Sequence, residues 1–522
     1  MLEPTLVAHL LERQAEQMPV KIATVDRTGV YTYAELNALA RQVACWLQDV
    51  GVKPGDRVVL RGANGARLVA AIFGILKAGA IFVPLHPDTP AARIAYVLQN
   101  CTPAAFVADS QILLRRESAM GEFGGPLLLV SDTIPDCRTR APNVTPWTVL
   151  AHYDGYSWDG LALPTDLAAI IYTSGSAKEP RGVMLPHRQV VFATTAINRV
   201  IGNTSEDVIL CGLPLSFDYG LYQVFLTFQV GAKLILERDF RLPMVIPRLI
   251  REHSVTGFPG VPSLFAMLLQ SRLLERIPLP SLRYITSTGD VFPAAHIRRL
   301  QELMPHVIIF PMYGLTECKR VSIMPRGKLR GRESSVGLPL SGTSVSVIDE
   351  AGQEVPCGAI GELVVRGPHV MAGYWNDPVE TARRFRVDVS NGATQLYTGD
   401  HFRMDEAGFL YFMGRGEMFI KSRGQKISPL EIESVVYEID GVNEVAAIGV
   451  PDPILGESVY VFVSPSSSST VDLKRINERC RESLPSAAYP RRVIVMESLP
   501  KTENGKIDRV QLKMLAAEST KT

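Results

Sequence analysis

The sequence predicts an α/β protein with a large N-terminal domain of layered α/β subdomains and a small α+β C-terminal domain. Its 522 residues exceed the roughly 250–300 residues at which a single hydrophobic core stops growing. Amphipathic helical segments alternate with short apolar runs, an order typical of α/β layers with largely parallel sheets. From about residue 416 this alternation gives way to a compact unit of helices and strands. We therefore predict two domains, residues 1–415 and 416–522.

In the large domain, the first long helix is predicted over "TYAELNALARQVACWLQDVG", where apolar residues recur at helical spacing. The longest apolar run, Leu68 to Leu85, is interrupted by Lys77 and contains Pro84. It predicts a buried helix followed by a strand, and no membrane span is expected. Further strands are predicted at "RVVLRG", "AAFVAD", "PLLLVS", "AAIIYTSG", "DVILCGLPLS", "KLILER" and "HVIIFPMYG".

Two later segments have a different character. "SVSVIDEAGQEVPCGAIGELVVRG" contains two strands around acidic and glycine-containing turns and predicts an antiparallel hairpin. The C-terminal unit reads helix, two strands, helix and strand, from "SPLEIESVVYEID" to "RRVIVMESL". Its "SPSSSST" segment, Ser464 to Thr470, is interpreted as a surface loop inside that unit.

The composition excludes several classes of protein. The formal net charge of +1 gives no basic surface for nucleic acid, so no nucleic-acid partner is expected. The first residues lack the apolar core of a signal peptide, and the seven scattered cysteines form no CxxC pair. These features favour a cytoplasmic protein without zinc or disulfides.

One loop-like stretch, "YTSGSAKEPRGVMLPH" from Tyr172 to His187, suggests phosphate binding. It is rich in Ser, Thr and Gly and follows an apolar strand, so its backbone N–H groups can point at phosphate oxygens. It lacks the Gly-Lys-Ser/Thr ending of the common phosphate-binding loop. On its own, an ordinary surface turn explains it equally well.

A second motif, "MYGLTECKR", places an aromatic ring, a glycine, a hydroxyl and a carboxylate directly after a predicted strand. Tyr313 can stack on a base, Thr316 can bind a phosphate oxygen, and Glu317 can hold Mg²⁺. The alternative is a polar turn at the end of a strand.

Three further segments are weaker when taken singly. "YTGD" ends in Asp400, whose carboxylate can accept both hydroxyl groups of a ribose. "GRGEMFIKSRGQKI" is basic and punctuated by glycine, and "PKTENGKIDR" places Lys506 after an Asn-Gly turn. Each is more often solvated surface than a site.

Together and in this order, the motifs resemble the adenylate-forming superfamily of acyl-CoA synthetases, amino-acid adenylation domains and firefly-type luciferases. The resemblance extends from "YTYAELN" to Arg509, nearly the whole chain. It implies a β-barrel-like element in the large domain and a mobile small domain. It also implies ATP and Mg²⁺ as cofactors.

The resemblance implies a role for each motif residue. Glu317 would hold Mg²⁺, Glu417 would be the hinge between domains, and Lys506 would be catalytic with Thr316 and Glu317, while Gly424 lies in the loop that would replace Lys506 at the site. The residues implied in ATP binding are Thr173, Ser174, Gly175, Ser176, Arg181 and Gly182 at the phosphates, Gly289, Asp290, Tyr313 and Gly314 near the adenine, and Asp400 and Arg415 at the ribose.

The loop departs from the family pattern at Ala177 and Lys178, where Thr-Gly is usual, and at Arg181, where Lys is usual. The missing hydroxyl removes a phosphate contact, and the missing glycine removes conformational freedom at a tight turn. We therefore expect slower adenylation or a higher KM for ATP, within the same class of reaction.

The segment "LPLSFDYGLYQ" aligns with the acid-binding wall of the family. Phe217 would close the acyl pocket, and Asp218 falls where amino-acid-activating members place the carboxylate that pairs with the substrate ammonium. A carboxylate in an acyl pocket is costly without a cation, so we predict an amino-bearing acid: an α-amino, imino or β-amino acid. In the alternative, Asp218 caps local backbone and the pocket takes a plain acyl chain. The predicted wall also includes Tyr219, Tyr222, Gly260, Ser287, Cys318 and Lys319.

The predicted reaction is ATP-dependent activation of this carboxylic acid as an acyl-adenylate with release of pyrophosphate, followed by transfer to a phosphopantetheine thiol. Because the chain ends soon after Lys506, we expect the thiol on a free-standing acyl or peptidyl carrier protein or on CoA. Alternatives are a fatty or other acyl-CoA or acyl-carrier ligase, a luciferase-like oxidation and a non-catalytic adenylate-binding scaffold. The presence of Glu317, Asp400, Arg415 and Lys506 argues against the scaffold.

Overall fold

The computed structural model describes residues 4–110, 112, 123–134, 143–153, 162–173, 179–238, 240, 242–388, 392–423, 425–466, 471–501 and 507–519. It has the predicted mixed α/β architecture, with a large N-terminal lobe and a small C-terminal lobe.

The helices lie mostly where apolar residues recur at helical spacing. The long early helix begins at a capping box in which Thr32 and Glu35 bond each other's backbone N–H groups. The described α-helices are His9–Gln17, Tyr33–Asp49, Ala66–Lys77, Ala91–Cys101, His187–Ile201, Asp218–Val230, Val245–Glu252, Pro262–Gln270, Leu273–Arg276, Ala294–Leu303, Pro378–Arg384, Pro429–Val436, Leu473–Ser483 and Arg509–Ser519.

The strands form four sheets. In chain order they are β1 Ile22–Asp26, β2 Gly29–Thr32, β3 Arg57–Arg61, β4 Ile81–Leu85, β5 Ala105–Ala108, β6 Leu127–Leu129, β7 Val144–Pro146, β8 Leu167–Thr173, β9 Arg181–Pro186, β10 Val208–Cys211, β11 Lys233–Leu236, β12 Gly257–Gly260, β13 Tyr284–Ser287, β14 Ile308–Tyr313, β15 Ser322–Ile323, β16 Leu338–Pro339, β17 Ser344–Ile348, β18 Ile360–Arg366, β19 Phe385–Val387, β20 Thr394–Met404, β21 Leu410–Arg415, β22 Ile420–Ser422, β23 Gln425–Ile427, β24 Val442–Asp452, β25 Gly456–Pro465 and β26 Arg492–Val495.

Two largely parallel sheets form the large lobe. The nine-stranded sheet has the order β16-β15-β14-β13-β12-β10-β11-β1-β2, and the seven-stranded sheet has the order β7-β6-β5-β3-β4-β8-β9. Antiparallel pairs occur only toward the sheet edges, among β14–β16, at β1–β2 and at β8–β9. The helix Ala66–Lys77 followed by β4 confirms the predicted buried helix and strand, since both are almost wholly buried.

A third sheet of the large lobe is antiparallel and contains β17 to β21. The predicted hairpin is confirmed, because β17 pairs antiparallel with β18. The long strand β20 pairs with β18, β19 and β21, and the order β17-β18-β20-β19 has two free ends in the described residues. The element predicted as barrel-like is therefore an open five-stranded sheet.

The small lobe contains the sheet β23-β22-β25-β24, with β26 beside β25. Helices Pro429–Val436 and Leu473–Ser483 cover one apolar cluster of this sheet, and the last helix contributes Leu512 and Ala516 to a second cluster. Each of the apolar clusters in the described residues lies wholly in one lobe. No helix of the described chain has both the length and the apolar character needed to cross a membrane.

Candidate active site

The carboxyl ends of the central parallel strands place most predicted site residues along one edge of the nine-stranded sheet. Gly260 and Ser287 are paired at the ends of β12 and β13, and β14 ends at Tyr313. The helix beginning at Asp218 follows the neighbouring strand β10. Ligands of open α/β sheets bind outside such carboxyl ends, so the topology alone marks this edge.

A buried carboxylate is held from two sides at this edge. Asp400 is 3% exposed; the Tyr313 hydroxyl donates to its Oδ2 at 2.6 Å, and the Arg415 Nε donates to its Oδ1 at 3.0 Å. The pairing of β20 with β21 places Asp400 directly opposite Arg415. Burial and the Asp400 charge raise the pKa of Tyr313 well above its ordinary value, so the phenol remains a donor.

The ring of Tyr313 packs against the antiparallel sheet. Its centroid lies 4.6 Å from that of Phe402 in an edge-on arrangement and 6.1 Å from that of Phe412 in a stacked one. The residue is 8% exposed. In the structure the Tyr313 hydroxyl orients Asp400. The stacking of its ring on adenine stays a prediction.

A tight turn follows β14 and carries Thr316 and Glu317. A Cβ at position 314 would lie 2.0 Å from the Lys319 carbonyl oxygen, so only glycine fits there. Lys319 itself has a left-handed backbone, with φ of 60°. The chain thus folds back on itself and presents both polar side chains at the sheet edge.

Glu317 is the predicted magnesium ligand. Its Oε1 accepts a hydrogen bond of 2.7 Å from the Tyr374 hydroxyl and lies 4.0 Å from an Arg384 nitrogen. The described residues contain no group of three or more His, Cys, Asp or Glu side chains placed to hold a metal ion. Mg²⁺ is commonly held by one or two carboxylates together with substrate phosphates, so a single carboxylate here fits this ion.

The predicted phosphate loop is the connection of a β-hairpin. Thr173 pairs with Arg181 and Tyr172 with Gly182 in the β8–β9 ladder, so these residues lie in strands and the loop is shorter than predicted. Strand β9 was not predicted, because glycine, proline and charged residues interrupt the apolar pattern at its start. Residues 174–178, with the predicted sites Ser174, Gly175 and Ser176 and the altered Ala177 and Lys178, lie outside the described residues.

Arg181 is engaged with acidic side chains. Its guanidinium lies 3.4 Å from an Asp377 oxygen and 3.3 Å from a Glu380 oxygen, and 5.8 Å from the ring centroid of Tyr374. Tyr374 therefore connects Arg181 to Glu317 at the other end of the predicted phosphate region. A cavity of about 470 Å³ adjoins Arg181 and Gly182.

The predicted acid pocket contains a buried ion pair. The Lys319 Nζ lies 3.2 Å from the Asp218 Oδ2 and 4.1 Å from the ring centroid of Tyr222. Burial lowers the pKa of Lys319 to about 7, while Asp218 opposes this shift. The structure thus gives Asp218 a cation from the protein itself, which removes the premise that it needs a substrate ammonium.

Arg320 is a pocket residue that the sequence analysis missed. It donates to the Thr288 Oγ1 at 2.7 Å, and its guanidinium lies 5.4 Å from the ring centroid of Tyr219. Tyr219 in turn shares a 2.6 Å hydrogen bond with Thr286. Arg320 directly follows the predicted pocket residues Cys318 and Lys319. The two consecutive charged residues after a buried strand could have predicted that Arg320 also belongs to the site. Tyr374, the hydrogen-bond donor to Glu317, was also missed, because it lies in no motif that the sequence analysis identified.

The remaining predicted site residues lie in several places. Phe217 is 40% exposed, and a Cβ at Gly289 would lie 3.9 Å from its ring and 3.7 Å from Val261. Gly289 has a left-handed φ of 95°, which glycine adopts without strain. Cys318 is buried, and Asp290 is exposed near the small lobe. Lys506 and Gly424 lie outside the described residues, as does the side chain of Glu417.

Comparison with known proteins identifies the family of this chain. A model of the AMP-binding enzyme family matches residues 11–375, and one of the AMP-binding enzyme C-terminal domain matches residues 431–506. The chain therefore belongs to the AMP-binding enzyme family, within the adenylate-forming ligase superfamily.

Individual relatives cover nearly all of this chain. Tyrocidine synthase 3 from Brevibacillus parabrevis is 29% identical over 507 residues, which form 96% of this chain and 8% of that protein. ATP-bound MatB from Rhodopseudomonas palustris is 27% identical with a TM-score of 0.84, covering 97% of this chain and 98% of that chain. A benzoate CoA ligase from Burkholderia xenovorans LB400 is 25% identical with a TM-score of 0.85, covering 97% and 99% respectively. The chain thus spans a small part of the synthase and nearly the full length of both solved structures.

Proposed function

We propose that this protein activates a carboxylic acid with ATP, forming an acyl-adenylate and pyrophosphate, and then transfers the acyl group to a phosphopantetheine thiol. The observation that carries the proposal is the Tyr313–Asp400–Arg415 group beside Glu317 at the carboxyl edge of the sheet. A fixed carboxylate is suited to accept both hydroxyl groups of a ribose. Membership of the AMP-binding enzyme family supports the use of ATP.

In the first step, a carboxylate oxygen of the acid attacks the α-phosphorus, and the bond to the pyrophosphate oxygen breaks. One anion approaches a polyanion, so the protein must position the reactants and neutralise charge. We assign Thr316 to the α-phosphate and Lys506 to the reacting oxygens. Mg²⁺ on Glu317 would neutralise part of the phosphate charge when bound.

In the second step, a thiolate attacks the acyl carbon and AMP leaves. We propose that domains 1–415 and 416–522 rotate about Glu417, so that Lys506 leaves the site before the thiol enters. Either a carrier protein or CoA can supply the thiol, and similarity to a benzoate CoA ligase supports the second.

Two classes of acid remain open. The position of Asp218 supports an amino-bearing acid, whose ammonium would meet that carboxylate. The Lys319–Asp218 pair supports an acid without an amino group, because the carboxylate already has a partner. Pyrophosphate exchange with pairs of acids that differ only in the amino group distinguishes these two classes of acid.

The test of the function is acid-dependent exchange of labelled pyrophosphate into ATP. We expect exchange with the intact protein and its loss in Lys506→Ala. The matched control is Lys501→Ala in the same segment, because Lys501 pairs with Glu444 within the small lobe. Exchange that survives in Lys506→Ala would refute the assignment of that lysine, and no exchange with any acid would refute the function.

A further inference from the structure

Two buried cations share one carboxylate in the acid pocket. Lys319 and Arg320 are 2% and 3% exposed, and Asp218 is 8% exposed. Among the described residues, the Asp218 carboxylate is the one whose negative charge stabilises the charged forms of both Lys319 and Arg320. With both cations charged, this part of the pocket carries an excess of positive charge.

Several donors in the same region have no acceptor. Among the described residues, no hydrogen-bond partner is present for the Lys319 Nζ, the Arg320 Nε, the Tyr222 hydroxyl or the Ser287 hydroxyl. Lys319 meets Asp218 as an ion pair at 3.2 Å. Buried polar groups are nearly always satisfied in folded proteins, so a ligand with acceptor oxygens would complete this arrangement.

The neighbouring side chains do not supply the missing negative charge. Burial raises the pKa of Tyr219 and of Tyr222 above their ordinary values, which keeps both phenols neutral near pH 7. The Arg320 guanidinium keeps its charge throughout the physiological range. An acidic group on the ligand would supply the compensating charge.

The cations and the predicted ribose-binding residues contact different elements of the large lobe. They lie against the helix Asp218–Val230, next to Tyr219 and Tyr222, whereas Tyr313 and Asp400 lie beside Phe402. The reacting carboxylate belongs at the nucleotide end. A second acidic group on the same molecule would reach the cations.

We propose that the acid activated by this protein is a dicarboxylic acid, whose second carboxylate binds Lys319 and Arg320 while the first one reacts with ATP. The inference rests on the proposed function and names its substrate class. An amino-bearing diacid is included, since its ammonium would still face Asp218.

The test compares matched acids in the pyrophosphate exchange assay: propionate with succinate, alanine with aspartate, and benzoate with isophthalate. In at least one pair we expect the diacid to have the higher kcat/KM, by roughly ten- to a hundredfold, the range for a buried charge-assisted hydrogen bond. Exchange that is equal or faster with the monoacid in every pair would overturn the inference and leave the proposed function standing. Absence of exchange with every acid would overturn both.

Two variants test the residues with the best diacid. Arg320→Gln should raise the KM for the diacid by roughly tenfold or more with little change in kcat, because it removes the charge and leaves a hydrogen-bonding side chain. The matched control is Arg326→Gln, an exposed arginine that bonds the Ile201 carbonyl. An unchanged KM in Arg320→Gln would contradict the assignment.

Asp218→Asn provides an independent measurement if the Arg320 variant does not fold. Removing the carboxylate leaves the charged Arg320 guanidinium without its protein anion, so binding of a diacid without an amino group should be kept or strengthened. A large increase in the KM for that diacid would overturn the inference.

Discussion

The Asp400 side chain is held by two hydrogen-bond donors that lie far apart in the sequence. Tyr313 ends β14, and Arg415 ends β21. Because both groups donate to it, the carboxylate is oriented before a nucleotide binds. The geometry of the predicted ribose end is therefore determined by single side chains.

Asp400→Asn should raise the KM for ATP by roughly ten- to a hundredfold, since loss of a hydrogen bond to a charged group costs about 1.5–3 kcal/mol. The change keeps the size of the side chain. Exchange at varied ATP concentration measures the effect, and Glu406→Gln, an exposed acid between β20 and β21, is the control. An Asp400→Asn variant with an unaltered KM for ATP would show that this carboxylate does not bind the nucleotide.

If Lys319 binds the acid as proposed, we expect acid recognition to depend on pH. Its pKa, lowered to about 7 by burial, leaves the ammonium charged below that pH and neutral above it. We therefore expect kcat/KM for the diacid, which reports the free enzyme, to fall as the pH rises through about 7.

The control for this pH profile is Lys319→Arg, because a guanidinium stays charged over the whole range. Its profile should lose the fall near pH 7. If the profiles of the original protein and of the variant coincide, the titration belongs to another group.

At the scale of elements, the turn after β14 depends on the close approach of its two ends. Gly314→Ala would force the new Cβ against the Lys319 carbonyl, a backbone atom that has no room to move aside. We expect a loss of about 1–3 kcal/mol in the free energy of unfolding, the usual cost of overpacking, together with loss of exchange activity. Urea unfolding followed by circular dichroism measures the first effect.

Gly124→Ala is the matched control for this substitution, because a Cβ there meets nothing within 4 Å and the backbone is not left-handed. It should leave both stability and activity unchanged. Equal effects of the two substitutions would show that the turn is not under this constraint.

Most elements could be predicted from the sequence because their periodicity is local. The helix Tyr33–Asp49 and the strands β10, β11 and β14 are examples, since each is a continuous apolar or amphipathic run. Strand β9 could not be recognised, because Arg181 and Gly182 interrupt such a pattern. Its strand conformation comes from pairing with β8.

The motifs of the site could be predicted, but their contacts could not. Asp218 is far from Lys319 in the sequence, and only the packing of the helix Asp218–Val230 against the turn after β14 brings them together. The same holds for Tyr313 and Asp400. Charge compensation inside a pocket depends on such distant pairs, so the sequence suggested a substrate ammonium where the protein supplies a lysine.

At the scale of the whole molecule, the small lobe contains a buried ion pair, whereas the described ion pairs between the lobes are exposed. Within the small lobe, Arg509 donates two hydrogen bonds, of 2.7 and 2.9 Å, to the buried Glu433 carboxylate. Between the lobes, Lys426 pairs with Glu350 and Arg298 lies 3.8 Å from Glu438, and all four side chains are substantially exposed. Exposed ion pairs contribute about 0–1 kcal/mol to stability. Weak pairs between the lobes are compatible with the rotation that we propose.

Arg509→Met should lower the free energy of unfolding by about 3 kcal/mol or more, because it leaves the buried Glu433 carboxylate without its partner. Arg298→Met is the matched control and should change it by less than about 1 kcal/mol. Urea titration followed by circular dichroism compares them. Comparable losses in the two variants would contradict a weak attachment between the lobes.

The short turn from Gly314 to Arg320 contains both the carboxylate assigned to the metal and the cations assigned to the acid. Changes to acid recognition that shift the backbone of this turn would therefore move Glu317 as well, so Lys319 and Arg320 are best replaced by side chains of similar shape. Libraries that vary Asp218 and Tyr222, on the facing helix, offer the safer route, because that helix can change the shape of the pocket while the nucleotide machinery stays intact.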